Sequence, residues 1–259
     1  MPFMEKGLVI KNNQVDKDLY EIEFLAPQIA AKSMPGQFVQ VLPSKAFDPL
    51  LRRPISLYDV NHKTASITLL YKVVGKGTEI LTRIKADEYL DVMGPLGKGF
   101  TLMENKNVVL VGGGVGIAPL IYLARKLKEA DCTVTVLHGT DNVSQLVTTN
   151  RLDDIGVKFM PATIDGSLGH KGYVTDLLYT KFQPNQIDYI YTCGPEAMMS
   201  LVAKYAQENN ILAEVSIEEH MACGVGACLG CARKLKADDT NYIKVCQDGP
   251  VFSTNEIEI

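Results

Sequence analysis

Four cysteines late in the sequence have a spacing that suits a metal cluster. The chain reads Cys223-Gly-Val-Gly-Ala-Cys228-Leu-Gly-Cys231, and Cys246 follows after fourteen intervening residues. A C-x4-C-x2-C run with one later cysteine is the spacing of plant-type iron–sulfur ligation, in which four thiolates hold a [2Fe-2S] cluster. We therefore predict that these four residues are the metal ligands of an iron–sulfur site.

A tetrahedral zinc site is the alternative for the same thiolates. Zinc ligands usually come from two short knuckles, whereas three of these cysteines share one loop, which favours the cluster. Gly224, Gly226 and Gly230 fit that interpretation because a loop wrapped around a cluster needs unusual backbone angles and little side-chain bulk. The short gap before Cys246 indicates an appended cluster subdomain rather than a ferredoxin. Cys132 precedes an apolar run and is interpreted as a small buried hydrophobic residue.

A glycine-rich turn, Gly112-Gly-Gly-Val-Gly116, lies between a predicted strand and a predicted helix. Glycines in that position let the backbone approach a pyrophosphate, and the N–H groups at the helix start favour the anion. Cys193-Gly194-Pro195 follows another predicted strand, and ligands of open α/β sheets bind outside the carboxyl ends of strands. We predict an NAD(H) site formed by Gly112, Gly114, Gly116, Cys193 and Gly194; the alternative is a turn that only packs strand on helix.

The type of nucleotide is predicted from the charges that follow the strands. A 2′-phosphate requires a nearby cation, but His138–Asn142 and Asp165–Ser167 contain no lysine or arginine. This absence favours NAD(H) over NADP(H). Lys171 is close enough in sequence to complicate the argument, and its alternative role is that of a solvated loop lysine.

Two patterns of secondary structure would have to position these residues. Short β-rich runs broken by turn residues fill the chain to about Val92, with a helix predicted behind an N-cap at Thr78, and together they predict a small antiparallel barrel. The predicted elements of this region are the strands Leu19–Phe24, Gln37–Leu42, Ile55–Asp59 and Ala65–Lys72 and the helix Gly77–Ala86.

Beyond the turn-rich segment Gly94–Gly99, strands alternate with helices, which predicts a parallel sheet covered on both faces. The strands are predicted at Asn107–Val111, Thr133–His138, Val157–Ala162 and Tyr189–Thr192, and the helices at Pro119–Glu129, Val174–Leu178 and Glu196–Asn209. The predicted architecture is a multidomain α+β protein: a barrel (1–99), a central α/β domain (100–214) and a small iron–sulfur subdomain (215–259). The last segment is too short to bury its own core.

Composition limits the classes of function. The 259 residues are 46% hydrophobic and 22% charged with a net charge of −4, which argues against disorder and gives no basic footprint for nucleic acid or anionic lipid. Glycines and Pro119 interrupt the longest uncharged stretch, Asn107–Ala124, so no membrane span is expected. The sequence begins without a secretory signal pattern, which predicts a cytoplasmic location.

The segment Leu51-Arg-Arg-Pro-Ile-Ser56 resembles the flavin motif Arg-x-Tyr-Ser of the ferredoxin reductase superfamily. The resemblance implies that Arg53 meets the pyrophosphate of FAD and that Ser56 approaches the flavin ring. Ile55 replaces the usual aromatic residue, and Tyr71 could supply contact instead. The full set of FAD-contacting residues implied by this resemblance is Arg53, Pro54, Ile55, Ser56, Leu70, Tyr71, Lys72, Gly77 and Thr78.

The order of these motifs resembles the family of electron-transfer subunits of the NAD-dependent type of dihydroorotate dehydrogenase. The resemblance implies an oxidoreductase subunit of de novo pyrimidine biosynthesis that uses FAD, a [2Fe-2S] cluster and NAD(H). It implies an FMN-containing catalytic partner that oxidises dihydroorotate, in a heterotetramer of two plus two subunits. No acid, base or nucleophile is assigned in this chain.

Two other functions remain open. One is the reductase subunit of a related flavin and iron–sulfur complex, of the sulfide dehydrogenase or ferredoxin:NAD(P) oxidoreductase type. Ferredoxin-linked members tend to lack the first cluster cysteine, and the presence of Cys223 favours the dihydroorotate assignment. The other is a non-enzymatic zinc module on a nucleotide-sensing fold.

Overall fold

The computed structural model describes residues 2–44, 46–236 and 238–259, with the backbone alone for 238–240. These residues form two compact units. The barrel unit comprises Met1–Gly99, Glu218–Arg233 and Ile243–Pro250, and the sheet unit comprises Phe100–Ile217, Lys234–Tyr242 and Val251–Ile259. The tail after Ile217 thus contributes to both units, and the division into three domains stays a prediction.

Six antiparallel strands close the barrel in the order β1-β2-β5-β4-β3-β6. In β2, Ile22 and Phe24 are almost fully buried while their neighbours are partly exposed, which is the two-residue period of a strand with one face in the core. The predicted antiparallel barrel is confirmed. The strands are β1 (Phe3–Asp16), β2 (Leu19–Leu25), β3 (Phe38–Leu42), β4 (Arg53–Asn61), β5 (Ser66–Lys72) and β6 (Tyr89–Leu96).

Two barrel strands, β1 and β6, show no clear strand pattern in the sequence. The segment Gly94–Gly99 was interpreted as a turn, but Gly94 and the two residues after it complete β6, which pairs with β1 and β3. Glycine suits this strand position because Val39 of β3 fills the space that a side chain at Gly94 would need. A Cβ at Gly94 would lie 2.7 Å from Val39 Cγ1.

Two short helices, α1 (Pro27–Lys32) and α2 (Lys76–Leu81), accompany the barrel. The observed helix α2 is therefore shorter than the helix predicted at Gly77–Ala86, and it starts earlier. The N-cap prediction at Thr78 is wrong: the N-cap is Gly75, and Thr78 is the third helical residue. Its hydroxyl accepts a hydrogen bond from Val74 N and donates one to Gly75 O, both 3.0 Å long. The hydroxyl also accepts a hydrogen bond from Gly75 N (3.3 Å), so the threonine reaches back from the third helical position to the N-cap residue.

The sheet unit contains a seven-stranded sheet in the order β10-β9-β8-β7-β11-β12-β15. All neighbouring strands are parallel except the β12–β15 pair, which is antiparallel. The predicted parallel-sheet domain is confirmed. Its strands are β7 (Asn107–Gly113), β8 (Thr133–Thr140), β9 (Lys158–Thr163), β10 (His170–Lys171), β11 (Tyr189–Cys193), β12 (Leu212–Ser216) and β15 (Val251–Ser253).

Four helices connect and cover these strands: α3 (Ala118–Glu129), α4 (Thr149–Ile155), α5 (Thr175–Lys181) and α6 (Glu196–Glu208). A cluster of buried side chains joins β7, β11, α5 and α6, with Val111, Ile190, Leu178 and Val202 all fully buried. Removing such apolar surface from water supplies most of the favourable free energy of a sheet with helices on its faces.

The cysteine-rich tail forms few regular elements. They are the two-stranded pair β13 (Ala232–Leu235) and β14 (Asp238–Lys244), the short helix α7 (Val245–Asp248) and the edge strand β15. Lys98 N donates a backbone hydrogen bond to Gly249 O, which joins this tail to the barrel unit. Within the described ranges, every helix is too short or too polar to cross a bilayer.

Candidate cofactor sites

The two predicted nucleotide signatures meet at the centre of the sheet. The glycine turn follows β7, and Cys193-Gly194-Pro195 follows β11, the strand beside it. β8 lies on the other side of β7, so the chain order reverses at this point. Crevices at the carboxyl ends of such strands are the places where open α/β sheets bind ligands.

The glycines of the turn have two different uses. A Cβ on Gly116 would lie 2.6 Å from Gly194 Cα and 2.7 Å from Cys193 O, and a Cβ on Gly112 would lie 2.6 Å from Ile117 Cδ1. These two glycines therefore permit close packing. Gly114 has φ of +53° and nothing within 4 Å of its Cβ position. Its open backbone leaves room for a phosphate to approach the start of α3.

The buried side chain of His138, near the end of β8, contacts the backbone of the glycine turn. Its side chain is fully buried, and Nε2 lies 3.0 Å from Gly114 O. Burial lowers the pKa of His138 to about 4, so the ring is neutral at physiological pH and Nε2–H donates to that carbonyl. The sequence pattern did not single out this residue, because a histidine ending an apolar strand is not distinctive without knowing what it touches.

The predicted flavin residues lie on adjoining elements of the barrel unit. Arg53 begins β4, and its guanidinium packs over Gly77 of α2, where a Cβ would come within 2.6 Å of Arg53 Cζ. Arg52 is used differently, since its Nη2 makes a 2.7 Å ion pair with Asp91. The structure therefore separates two adjacent arginines: Arg52 is held by a carboxylate, and Arg53 lies beside the first turn of a helix.

The other predicted flavin residues differ in the solvent exposure of their side chains. Pro54, Ile55 and Ser56 follow Arg53 along β4; Leu70, Tyr71 and Lys72 end the neighbouring strand β5. Ser56 is half-buried and Lys72 is exposed, whereas Ile55 and Leu70 are buried. The Tyr71 ring is buried against Tyr20 at a centroid distance of 5.7 Å, and its hydroxyl donates to Asn12 Oδ1. Tyr71 thus contributes to packing within the barrel unit.

All four tail cysteines accept hydrogen bonds from backbone N–H groups. Three donors converge on Cys223 Sγ, from Val225, Ala227 and Cys228, at 3.3 to 3.5 Å. The remaining donors are Gly230 N to Cys228 Sγ (3.4 Å), Cys246 N to Cys231 Sγ (3.4 Å) and Gly226 N to Cys246 Sγ (3.1 Å). Such donors stabilise thiolates, the form that binds metal.

The four thiols lie close to one another. The thiol of Cys228 is a neighbour of Cys223, and the thiols of Cys231 and Cys223 are neighbours of Cys246. In the part of the chain that the structure describes, no three metal-ligating side chains converge on a point that one ion could occupy. A tetrahedral zinc site needs four ligands around one ion, whereas a [2Fe-2S] cluster takes them over two irons. Four thiols supplied with backbone N–H donors are a donor set that fits a [2Fe-2S] cluster.

The four tail cysteines differ in burial, and burial affects the pKa of each thiol. Cys231 and Cys246 are buried, Cys223 is half-buried and Cys228 is exposed. For Cys223, burial raises the pKa, but the N–H donors outweigh it and lower the pKa to about 6. For Cys246, burial raises the pKa to about 12. Metal binding at this loop must therefore displace protons from the thiols, most of all from Cys246.

The neutral state of His138 makes a testable contribution to stability. Its folded-state pKa of about 4 lies below the usual 6.5, so the unfolded chain binds a proton first as pH falls, and stability is lost between about pH 6.5 and pH 4. His138→Gln retains an N–H donor but does not titrate. The wild type should lose about 3 kcal/mol more than this variant over that interval, measured by urea unfolding at several pH values. Equal losses in both proteins would contradict this account.

Two family models match the chain. One, described as the iron-sulfur cluster binding domain of dihydroorotate dehydrogenase B, matches residues 218–258. The other, an oxidoreductase NAD-binding domain, matches residues 110–204. The first range contains all four tail cysteines, and the second contains the glycine turn, His138 and Cys193.

A solved structure similar over nearly the whole chain is that of an NADH-dependent reduced ferredoxin-NADP oxidoreductase. It has a TM-score of 0.87 and 31% identity, and the alignment covers 98% of this chain and 90% of that one. A ferredoxin NADP+ reductase from Neisseria gonorrhoeae with bound FAD and NADP has a TM-score of 0.63 at 15% identity, covering 79% of this chain and 91% of that one. The second similarity shows the fold alone.

Curated relatives are similar to the chain from end to end. A protein of Desulforamulus reducens is 40% identical over 94% of each chain, and one of Listeria monocytogenes is 39% identical over 97% of each. Both are named dihydroorotate dehydrogenase B (NAD(+)), electron transfer subunit. The chain therefore belongs to the family of dihydroorotate dehydrogenase B electron transfer subunits.

Proposed function

We propose that this protein is the oxidoreductase subunit that carries electrons between a dihydroorotate-oxidising partner and NAD+ in pyrimidine biosynthesis. The observation that carries the proposal is the set of four tail thiols, each supplied with at least one backbone N–H donor. Nicotinamide exchanges electrons in pairs and an iron–sulfur cluster singly, and a bound flavin supplies the conversion between them.

The residues of this chain bind and orient the cofactors. Cys223, Cys228, Cys231 and Cys246 hold the [2Fe-2S] cluster, and the N–H donors of the loop offset the negative charge of the thiolates. No acid, base or nucleophile is assigned in this chain, because its residues bind and orient the groups that exchange electrons and hydride.

FAD binding is assigned to the barrel unit. Arg53 offers a planar guanidinium with several donors to the pyrophosphate, and Ser56 on the same strand supplies a hydroxyl for the flavin ring. Pro54, Ile55, Leu70, Tyr71, Lys72, Gly77 and Thr78 complete the proposed set. The role is assigned to Arg53 because Arg52 is paired with the carboxylate of Asp91, whereas Arg53 Nη1 donates to the backbone carbonyl of Leu51.

NAD(H) binding is assigned to Gly112, Gly114, Gly116, Cys193 and Gly194. The absence of acidic side chains from the first turn of α3 favours a phosphate there. NAD(H) rather than NADP(H) is supported by the residues after β8, where Asp141 and Asn142 follow the strand without a cation.

The name of the family implies a catalytic partner subunit. We propose that the partner carries FMN and that two copies of each chain assemble into a heterotetramer. We place the complex in the cytoplasm, where a reducing environment keeps the metal-binding thiols free; all six cysteines of the chain are free thiols in the structure.

A second candidate is a reductase subunit of a related flavin and iron–sulfur complex. Its support is the similarity to the ferredoxin-NADP oxidoreductase structure at 31% identity. The dihydroorotate assignment is preferred because relatives near 40% identity share that name and because Cys223 completes the ligand set.

Serine substitution of any tail cysteine should remove the cluster. Each of Cys223→Ser, Cys228→Ser, Cys231→Ser and Cys246→Ser replaces a thiolate with a weaker ligand for iron. We expect loss of iron, inorganic sulfide and visible absorption in anaerobically purified protein. Cys132→Ser is the matched control, because Cys132 is buried outside the loop with its thiol donating to Met103 O. Stoichiometric zinc without iron in the wild type would contradict the proposal.

Neutralising Arg53 should weaken FAD binding. Losing its contacts with a phosphate should cost about 1.5 to 3 kcal/mol, or roughly a ten- to hundredfold rise in Kd. Arg52→Ala is the control because it removes the neighbouring charge, which is paired with Asp91. Flavin release during dialysis measures the effect. The assignment is rejected if Arg53→Ala retains flavin as well as Arg52→Ala does.

Gly114→Ala should weaken NADH binding at least about tenfold, because its Cβ would project into the space left for the phosphate. Gly156→Ala is a matched control: Gly156, with φ of +71°, has the same left-handed backbone and open surroundings but lies at the end of α4. Both variants should lose about 1 kcal/mol of stability through backbone strain. Only Gly114→Ala should raise the Kd for NADH in a fluorescence titration; equal Kd values would reject the site.

The isolated chain should oxidise NADH with artificial acceptors but should not reduce NAD+ with dihydroorotate. The assigned sites account for FAD, NAD(H) and one cluster, and among the described residues we assign none to the oxidation of a dihydropyrimidine. Adding the partner subunit should restore dihydroorotate-dependent NAD+ reduction. Turnover by the chain alone would overturn the proposed division of labour, and inactivity of the reconstituted complex would favour the second candidate.

A further inference from the structure

Gln40, in the middle of β3, is a polar residue fully buried in the barrel unit. Neither Oε1 nor Nε2 of its amide has a hydrogen-bond partner among the described residues. Leaving a buried amide unpaired destabilises the folded state, and native proteins rarely keep such a group without a reason. The amide therefore requires an explanation.

The neighbours of this amide indicate the group with which it can interact. Gly224, which directly follows Cys223, lies against it: a Cβ at Gly224 would fall 2.9 Å from Gln40 Nε2 and 2.9 Å from its Cγ. Gly224 has φ of +70°, so the backbone at this point is shaped for glycine. The loop that carries three cysteines thus passes over the unpaired amide without an intervening side chain.

Backbone N–H groups of the tail already donate hydrogen bonds to the cysteine sulfurs. Cys223 Sγ accepts from Val225, Ala227 and Cys228, and Cys246 Sγ accepts from Gly226, all within the tail. Gln40 is paired on both sides in the sheet, opposite Pro54 on β4 and Met93 on β6. Its side chain is a polar group of the barrel that approaches the loop at Gly224.

We infer that Gln40 is a positioning and tuning residue of the iron–sulfur site, whose amide Nε2–H donates a hydrogen bond to a sulfur atom of the bound cluster. This inference rests on the proposed function, since it requires a cluster on the four cysteines. The reduced cluster carries one more negative charge than the oxidised one, so the donor stabilises the reduced form more strongly. Gln40 consequently raises the reduction potential of the cluster.

The first test compares Gln40→Met with the wild type in the flavin- and cluster-loaded protein. Methionine preserves the length of the side chain and removes both N–H donors. Electron paramagnetic resonance during a redox titration should show a lower midpoint potential. A tenfold fall in the ratio of reduced to oxidised cluster at fixed poise corresponds to about 59 mV for one electron. Gln40→Glu should lower the potential further because it adds an acceptor with negative charge.

Tyr205→Phe is the matched control, because its buried hydroxyl is likewise without a partner in the part of the chain described but belongs to α6 of the sheet unit. This variant should leave the potential unchanged. An unchanged potential in Gln40→Met with intact iron content would overturn the inference while leaving the proposed function standing. Absence of iron and sulfide from the wild type would instead reject the proposed function.

A second measurement keeps the inference testable if Gln40→Met does not accumulate. Gln247 also touches the loop, beside Gly226, so the wild type and Gln247→Met are both prepared with 15N in the glutamine side-chain amides. Electron–nuclear double resonance of the reduced cluster should show a 15N coupling that persists in Gln247→Met. Its absence from both proteins would overturn the assignment of Gln40 as a donor.

Discussion

A short tail that holds four thiols cannot be stabilised by apolar burial of its own, and this constraint governs how the tail is built. Residues around the cysteines have too little hydrophobic surface for an independent core. They are held by main-chain contacts with the barrel, such as the bond from Lys98 N to Gly249 O, and by the close approach of Gly224 to Gln40. Glycine at position 224 is a geometric requirement, because a side chain there would collide with Gln40.

The sheet unit uses glycine in a related but distinct way. Gly116 brings two strand-end loops together, while Gly114 keeps a patch of main chain open to an incoming anion. His138 fixes the carbonyl of Gly114 from the buried side, so the shape of the turn does not depend on a ligand. Preorganisation of this kind reduces the entropy lost on binding. A buried polar side chain thus lies beside a glycine of the site in both units, with a neutral imidazole in one and a carboxamide in the other.

Motifs whose chemistry depends on local spacing were predictable from the sequence. The cysteine run, the glycine turn, the barrel and the parallel sheet all follow from residue type and period. The strands β1 and β6 were not, because β1 is rich in polar residues and β6 contains Gly94 and Pro95, whose acceptance depends on Val39 across the sheet. Gln40 and His138 were missed for the same reason: each looks like an ordinary member of an apolar strand until its neighbour in space is known. Thr78 was assigned to the right turn but the wrong position, since a helix start is set by hydrogen bonds and not by residue preference alone.

The antiparallel strand β15 has a consequence for the synthesis of the chain. It covers the edge of β12, yet it is made only after the whole cysteine loop. Until then the sheet presents a row of unpaired N–H and carbonyl groups, which is a template for pairing with other nascent chains. Truncation within the metal loop therefore removes more than metal ligands. It also leaves the edge of β12 unpaired, so we expect the truncated protein to lose solubility as well as redox activity.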